Sequence, residues 1–350
     1  MKTVKFSFLF LLTLILISGC KDKGQAYKPN INGSMGELLL VMDDKWKTSE
    51  SGERLIEILT QPMLGLPQNE NLFRLSVVPH RAFTDHMKVF RNLIIATISP
   101  KVKEEGIKLY TDNWAKEQAL MRIEAKTPER FLEIVDQEEV KILGYFIRAE
   151  RERSQSYYAK YTNGELKGVV KDVWDVDMII PNSFKKNKSS ETFTWMSNET
   201  QLTSQAVLLY SFDYIGESTF SKEYLLNKRD SILRLNIPGP VDGSYMATEY
   251  DLPISYKTLK VNGHDAVELR GLWKVVGYPM GGPFVLFAHL DAKNNRVVVT
   301  DGYVYSPEKP NKRNLVWQVE SILYSLKFPT DKTESEETSP VEGVESPEKD

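Results

Sequence analysis

The sequence predicts an α+β fold: two α/β-sandwich-like modules whose antiparallel sheets are covered by helices. Three observations predict it. Short apolar runs bounded by Gly, Pro, Asn or Asp recur along the chain, as strands between turns do. Segments with apolar residues three and four apart interrupt those runs, and strands, a helix, a further run of strands and a last helix describe an α+β domain. The 350 residues are 41% hydrophobic and 27% charged, the balance of a water-soluble body with enough length for two domains.

Residues 37–42, Glu-Leu-Leu-Leu-Val-Met, lie between Gly36 and Asp43-Asp44 and suit a buried strand. Leu55, Ile58 and Leu59 follow at helical spacing and end before Pro62. Residues 72–78, 93–98 and 118–124 are strand-like. Thr127-Pro128-Glu129 marks a helix start, with Thr as N-cap, Pro at the first helical position and Glu near the positive end of the dipole. Phe131, Leu132, Val135, Ile142, Leu143 and Phe146 continue one apolar face, and the helix becomes charged over 148–153.

In the second half, residues 177–181, 192–196 and 206–214 are strand candidates. Ser221 caps a helix carrying Leu225, Leu226, Ile232 and Leu233, which Pro238-Gly239 stops. Four strands follow, over 254–261, 265–276, 284–291 and 297–305. Asn262-Gly263 between the first two is a type I′ hairpin signal, and Asn294-Asn295 is read the same way. A last helix carries Leu315, Val316, Val319, Ile322, Leu323 and Leu326 on one stripe. Charged and polar residues dominate over 148–171, so the boundary between an N-terminal domain (34–170) and a C-terminal domain (171–329) is placed there. Val78-Pro79 and Ile180-Pro181 raise the question of a duplication.

The ends read differently. Residues 1–19 have basic Lys2 and Lys5, an apolar stretch over 6–17 and small residues before Cys20, the pattern of a secretory signal. That stretch is about a dozen residues, short of the roughly 20 that span a bilayer. Cys20 is the only cysteine, so no internal disulfide exists. Residues 20–33 read as a tether. Residues 330–350 hold eight acidic residues against Lys332 and Lys349; with almost no apolar surface to bury, the tail is expected to be disordered. The rest is near neutral, which gives no basic stripe for nucleic acid.

Candidate chemistry is sparse. His80, Asp85 and His86 lack the spacing of a metal site, so no metal and no cofactor are expected. Ser183-Phe184-Lys185-Lys186 matches Ser-x-x-Lys of serine enzymes without the Lys-Thr-Gly partner. Met280-Gly281-Gly282-Pro283 reads as a sharp loop beside Trp273 and Tyr278, a ligand-contacting loop or a plain strand connection. Gly271, after Arg270, marks a bulge or close backbone packing. Asp43, Asp44 and Trp46 are candidates for a sugar- or peptide-binding rim. A hydrolase acting on cell-wall or glycan material would have to use Asp43, Asp44, Arg270 and Asp301.

Leu16-Ile17-Ser18-Gly19-Cys20 resembles the lipobox of bacterial lipoproteins, which implies diacylglyceration of Cys20, cleavage before it and N-acylation, hence a membrane anchor carrying palmitate-type chains. Gly36 through Asp44 with Trp46, Leu66-Pro67-Gln68, Arg91-Asn92-Leu93-Ile94, Lys228-Arg229-Asp230-Ser231, Gly239-Pro240, Gly243-Ser244-Tyr245-Met246, Arg270-Gly271-Leu272-Trp273 and Met280 through Phe284 together resemble a Bacteroidota lipoprotein family of unknown function. The order of elements in the second half is similar to Mog1/PsbP-like domains. Asp230-Ser231-Ile232 resembles the O-glycosylation acceptor of that phylum, with Ser231 as acceptor, and Lys21-Asp22-Lys23 faintly resembles its surface-export signals. The resemblance implies an outer-membrane lipoprotein facing the periplasm, with surface exposure as the alternative. The expected function is a non-enzymatic module that binds an envelope protein or glycan.

Overall fold

The computed structural model describes residues 28–329. The signal, Cys20 and the acidic tail lie outside the described residues. The last part of the expected tether, from residue 28, lies along the first module, where Asn30 bridges to Lys116 and Asn32 to Phe90.

The first half contains β1 (Glu37–Val41), the one-turn α1 (Asp44–Lys47), α2 (Glu50–Thr60), β2 (Arg74–Val78), the one-turn α3 (Asp85–Lys88), β3 (Asn92–Ile98), β4 (Gly106–Thr111), β5 (Ala119–Ala125), α4 (Pro128–Gln137) and α5 (Glu139–Lys160). The sheet order is β2-β1-β3-β5-β4. Here the antiparallel expectation is corrected. β1 runs parallel to β2 and β3, β3 runs parallel to β5, and only β4 is antiparallel to its neighbour. β1 and β3 are buried on both faces, as parallel strands are, and α2 supplies the crossover that a parallel pair requires.

The helix expected from Thr127 onward is two helices, α4 and α5, broken at Glu138. Thr127 caps α4 by accepting from the Arg130 amide at 3.2 Å. The charged stretch continues into α6 (Gly164–Trp174), so position 170 is the buried Val170 inside a helix.

The second half contains β6 (Lys185–Ser189), β7 (Phe193–Glu199), β8 (Ser204–Asp213), α7 (Lys222–Asn236), β9 (Tyr245–Glu249), β10 (Ser255–Val261), β11 (His264–Val276), β12 (Tyr278–Asp291), β13 (Arg296–Tyr305) and α8 (Arg313–Leu323). The strands form one antiparallel sheet ordered β10-β11-β12-β13-β8-β7-β6, with β9 pairing the far end of β11. Ser221 accepts from the Tyr224 amide and caps α7. Asn262 and Gly263 both have positive φ, as the hairpin signal requires. Asn295 alone does so in the other turn, because Asn294 ends a short 3₁₀ segment. The strand expected over 177–181 is instead irregular chain held by bridges at Asp177 and Pro181.

Cross-strand pairs sort the faces of this sheet. Gly302 lies under α8, where a Cβ would strike Val319, whereas Asp301, its neighbour, faces α7 and pairs with Arg229. The layers therefore run from the first sheet through α2, α4 and α5 to α8, the second sheet and α7. One hydrophobic core crosses both halves: Phe73 packs on Phe146 of α5 and on Trp317 of α8. A smaller cluster of Leu39, Val41, Leu93, Ile95 and Leu120 lies on the opposite face of the first sheet, under Phe83, Met87, Phe90 and Trp114.

Candidate functional site

On the α7 face of the second sheet, α7 ends at Asn236 and the chain turns away through Pro238-Gly239-Pro240. Beyond that end the sheet carries a row of aromatic side chains that the helix does not cover, Trp195 and Tyr305 half-buried and Trp273 and Tyr303 buried. The antiparallel pairing puts Trp195 beside Leu208 and Asp301, and Tyr303 and Tyr305 follow Asp301 at every second position. Trp273 lies opposite Gly282. These residues floor a cavity of about 570 Å³ walled by the 200–204 turn, by residues 237–240 and by Met280.

The walls are held. The Thr200 amide donates to the Thr203 carbonyl at 2.8 Å, and the Thr203 amide donates to Thr200 Oγ1 at 3.0 Å. The Gly239 amide donates to the Ser244 carbonyl and the Met246 amide to that of Ile237. Trp273 Nε1 donates to the Val304 carbonyl at 3.2 Å. The Trp195 indole nitrogen is buried and makes no hydrogen bond, although it approaches the Tyr303 hydroxyl.

Met280-Gly281-Gly282-Pro283 is strand and not loop. Gly281 pairs with Lys274 and Gly282 with Trp273 inside the β11–β12 ladder. The glycines are needed for close approach: a Cβ on Gly281 would sit 2.6 Å from the Trp273 carbonyl, and one on Gly282 would collide with the Val304 carbonyl. Gly271 likewise sits against the Phe284 ring without a bulge, the register shift falling at Lys274/Val275.

The structure does not gather the candidates into one constellation. Asp43 and Asp44 follow β1 in the first module, where Asp43 Oδ1 accepts from the His80 amide and faces His80 Nδ1, both at 3.2 Å, and Asp44 pairs with Arg81. Trp46 is half-buried beneath Lys45. Arg270 lies on the α8 face between Glu268 and Glu320, at 2.7 and 3.0 Å. Burial opposes its charge, but Glu320 and Glu268 outweigh burial and raise its pKa further. Asp301 lies on the other face, wholly buried and 2.8 Å from Arg229 Nε; burial raises its pKa despite that partner.

Lys228-Arg229-Asp230-Ser231 is structural in its middle. Arg229 also donates to Thr248 Oγ1 and stacks on Phe284, and Asp230 accepts from Thr248 and from the Tyr250 hydroxyl. Ser231 is exposed, its hydroxyl donating to the Asn227 carbonyl. Ser183 is exposed at a turn, and Lys186 on the edge strand faces Glu165. Asp85 pairs with Lys88, and no group of three metal-ligating side chains occurs among the described residues. No helix among them is long and apolar enough to cross a membrane.

Two family models match the chain. Residues 163–325 match a domain of unknown function (DUF4837), and residues 32–159 match another (DUF8532). No curated protein matches. The Ran-binding protein Mog1p of Saccharomyces cerevisiae is 11% identical, covering 44% of this chain and 89% of its own at a TM-score of 0.29. LpqN of Mycobacterium tuberculosis, described as involved in cell envelope biogenesis, is also 11% identical, covering 43% and 83% at 0.27. At these scores the likeness carries no argument.

Of the pocket residues, the sequence pointed to Trp273 and Met280 and missed Trp195, Tyr303 and Tyr305. The i, i+2 spacing of the two tyrosines within a strand was the available signal.

Proposed function

We propose that this chain is a lipid-anchored cell-envelope protein, held at the outer membrane through Cys20, whose second module binds an envelope ligand in the aromatic pocket beyond α7. One observation carries the binding reading: a walled, roomy cavity with two tryptophans and two tyrosines in its lining, where a few polar groups converge on apolar surface. The hydrolase reading needs Asp43, Asp44, Arg270 and Asp301 together, and they lie in two modules and on opposite sheet faces, each with a partner.

Two experiments test the proposal. Cells fed an alkyne palmitate analogue label the wild-type protein and not Cys20→Ser; equal labelling would refute the anchor. A photocrosslinking residue at Leu202, exposed on the turn beside the cavity, captures an envelope component that one at exposed Val140 of α5 does not. Identical capture from both positions would remove the pocket from the function.

A further inference from the structure

The pocket has a charge character of its own. Glu199 and Glu308 stand exposed at its margin, and none of its lining side chains is basic. The buried Trp273 ring meets Tyr303 at 5.4 Å and Tyr305 at 6.1 Å between centroids, which backs the half-buried rings of Trp195 and Tyr305 that line the cavity with those carboxylates. Faces of Trp and Tyr rings attract cations, and a carboxylate nearby adds to the attraction. Glu199 acts at this range on the floor itself: burial, and then the Glu199 charge, holds the Tyr303 phenol protonated to unusually high pH.

A second observation concerns hydrogen bonding. Trp195 Nε1 can only donate, it is buried, and its one polar neighbour is the Tyr303 hydroxyl, to which it makes no well-formed hydrogen bond. A ligand that brought a carbonyl oxygen to it would satisfy a group that the folded chain leaves unmet. A lysine-containing peptide supplies both requirements at once, an ammonium for the rings and carboxylates and a main-chain carbonyl for the indole. A neutral glycan supplies an acceptor and no cation.

Resting on the reading of this cavity as the binding site, we infer that it takes a peptide segment of a partner protein, with a lysine ε-ammonium between the aromatic row and Glu199 and Glu308 and a main-chain carbonyl on Trp195 Nε1.

The test is calorimetric titration of the intact protein in detergent with Ac-Gly-Gly-Lys-Gly-Gly-amide, the same peptide N-acetylated on lysine, and chitobiose. The lysine peptide binds, acetylation weakens binding about tenfold, and Glu199→Gln with Glu308→Gln does the same, as expected for loss of one desolvated cation contact. Trp195→Phe keeps a ring and loses the donor, and weakens the lysine peptide without changing the ratio between the two peptides. Equal affinity for both peptides, or binding of chitobiose alone, overturns the inference. Absence of binding by every probe also overturns it, whereas the fate of the pocket as a binding site is read separately from the Leu202 crosslink.

Discussion

The two faces of the eight-stranded sheet treat charge and aromatic surface in opposite ways. Under α8 the face is closed: Glu268, Arg270, Glu320 and Arg151 form a chain of ion pairs reaching α5 of the other module, and Tyr324 covers Phe287. Under α7 one buried pair, Arg229 with Asp301, is sealed, and beyond it the half-buried Trp195 and Tyr305 line an open cavity. Buried ion pairs seldom add net stability, but removing one member is costly. The closed face therefore fixes how the modules join, and the open face is where a ligand can be received without disturbing that joint.

Breaking the sealed pair should have the largest effect. Arg229→Ala leaves the Asp301 carboxyl buried beside Tyr210 and should cost about 4 kcal/mol in urea unfolding; a loss below about 1 kcal/mol would mean that water reaches the site. On the closed face, Glu320→Ala leaves Arg270 with Glu268 alone and takes the carboxylate from Arg151, and should cost about 2.5 kcal/mol. If the seam is what unites the modules, its unfolding curve also separates into two steps; a single unshifted transition would contradict the comparison.

The third effect is a pH dependence. His289, on the α8 face, is fully buried and its pKa is lowered to about 3, first by burial and then by His264. The unfolded chain takes up this proton below about pH 6.5 while the folded one does not, so stability falls as pH drops from there towards 3. At pH 5 the loss relative to pH 7.5 should be about 2 kcal/mol. His289→Gln should flatten that part of the pH profile, and an unchanged slope would assign it to other groups. The smallest effect is away from the cavity: Ser221→Ala removes the α7 cap and should cost about 1 kcal/mol by thermal unfolding, with lysine-peptide affinity unchanged because Ser221 sits at the opposite end of α7 from the cavity.

Much of the second half was legible because its strands obey simple rules. β11, β12 and β13 hold long apolar runs, and Asn262-Gly263 pairs two of them. Two of the missed strands have no buried face to announce them, β6 being exposed throughout and β4 half-buried or exposed, while the third, β9, buries only Met246 and Thr248. Parallel pairing in the first sheet was hidden because Leu38 to Val41 reports burial and says nothing of which distant strand lies alongside. Glycines 281 and 282 misled because the usual meaning of Gly-Gly-Pro is a turn, whereas here they make room for the Trp273 and Val304 carbonyls. Gln68 and Glu70 show the same limit from another side. They sit in a first-half loop, yet Lys312 Nζ donates to Gln68, and the Lys312 and Arg313 amides at the start of α8 donate to Glu70. No local pattern could have revealed a cap lent across the molecule.

The outermost strand β6 carries Lys185, Lys186 and Lys188, all exposed, on the free edge of the large sheet. On the lipid anchor proposed above this would matter more than in dilute solution. Confinement to a surface brings identical copies side by side at high local density, where an unguarded edge would add strand to strand and grow a ribbon across the bilayer. Three like charges on that edge make each copy repel its neighbour's matching strand, so a population held by the proposed anchor could stay crowded and still remain separate molecules.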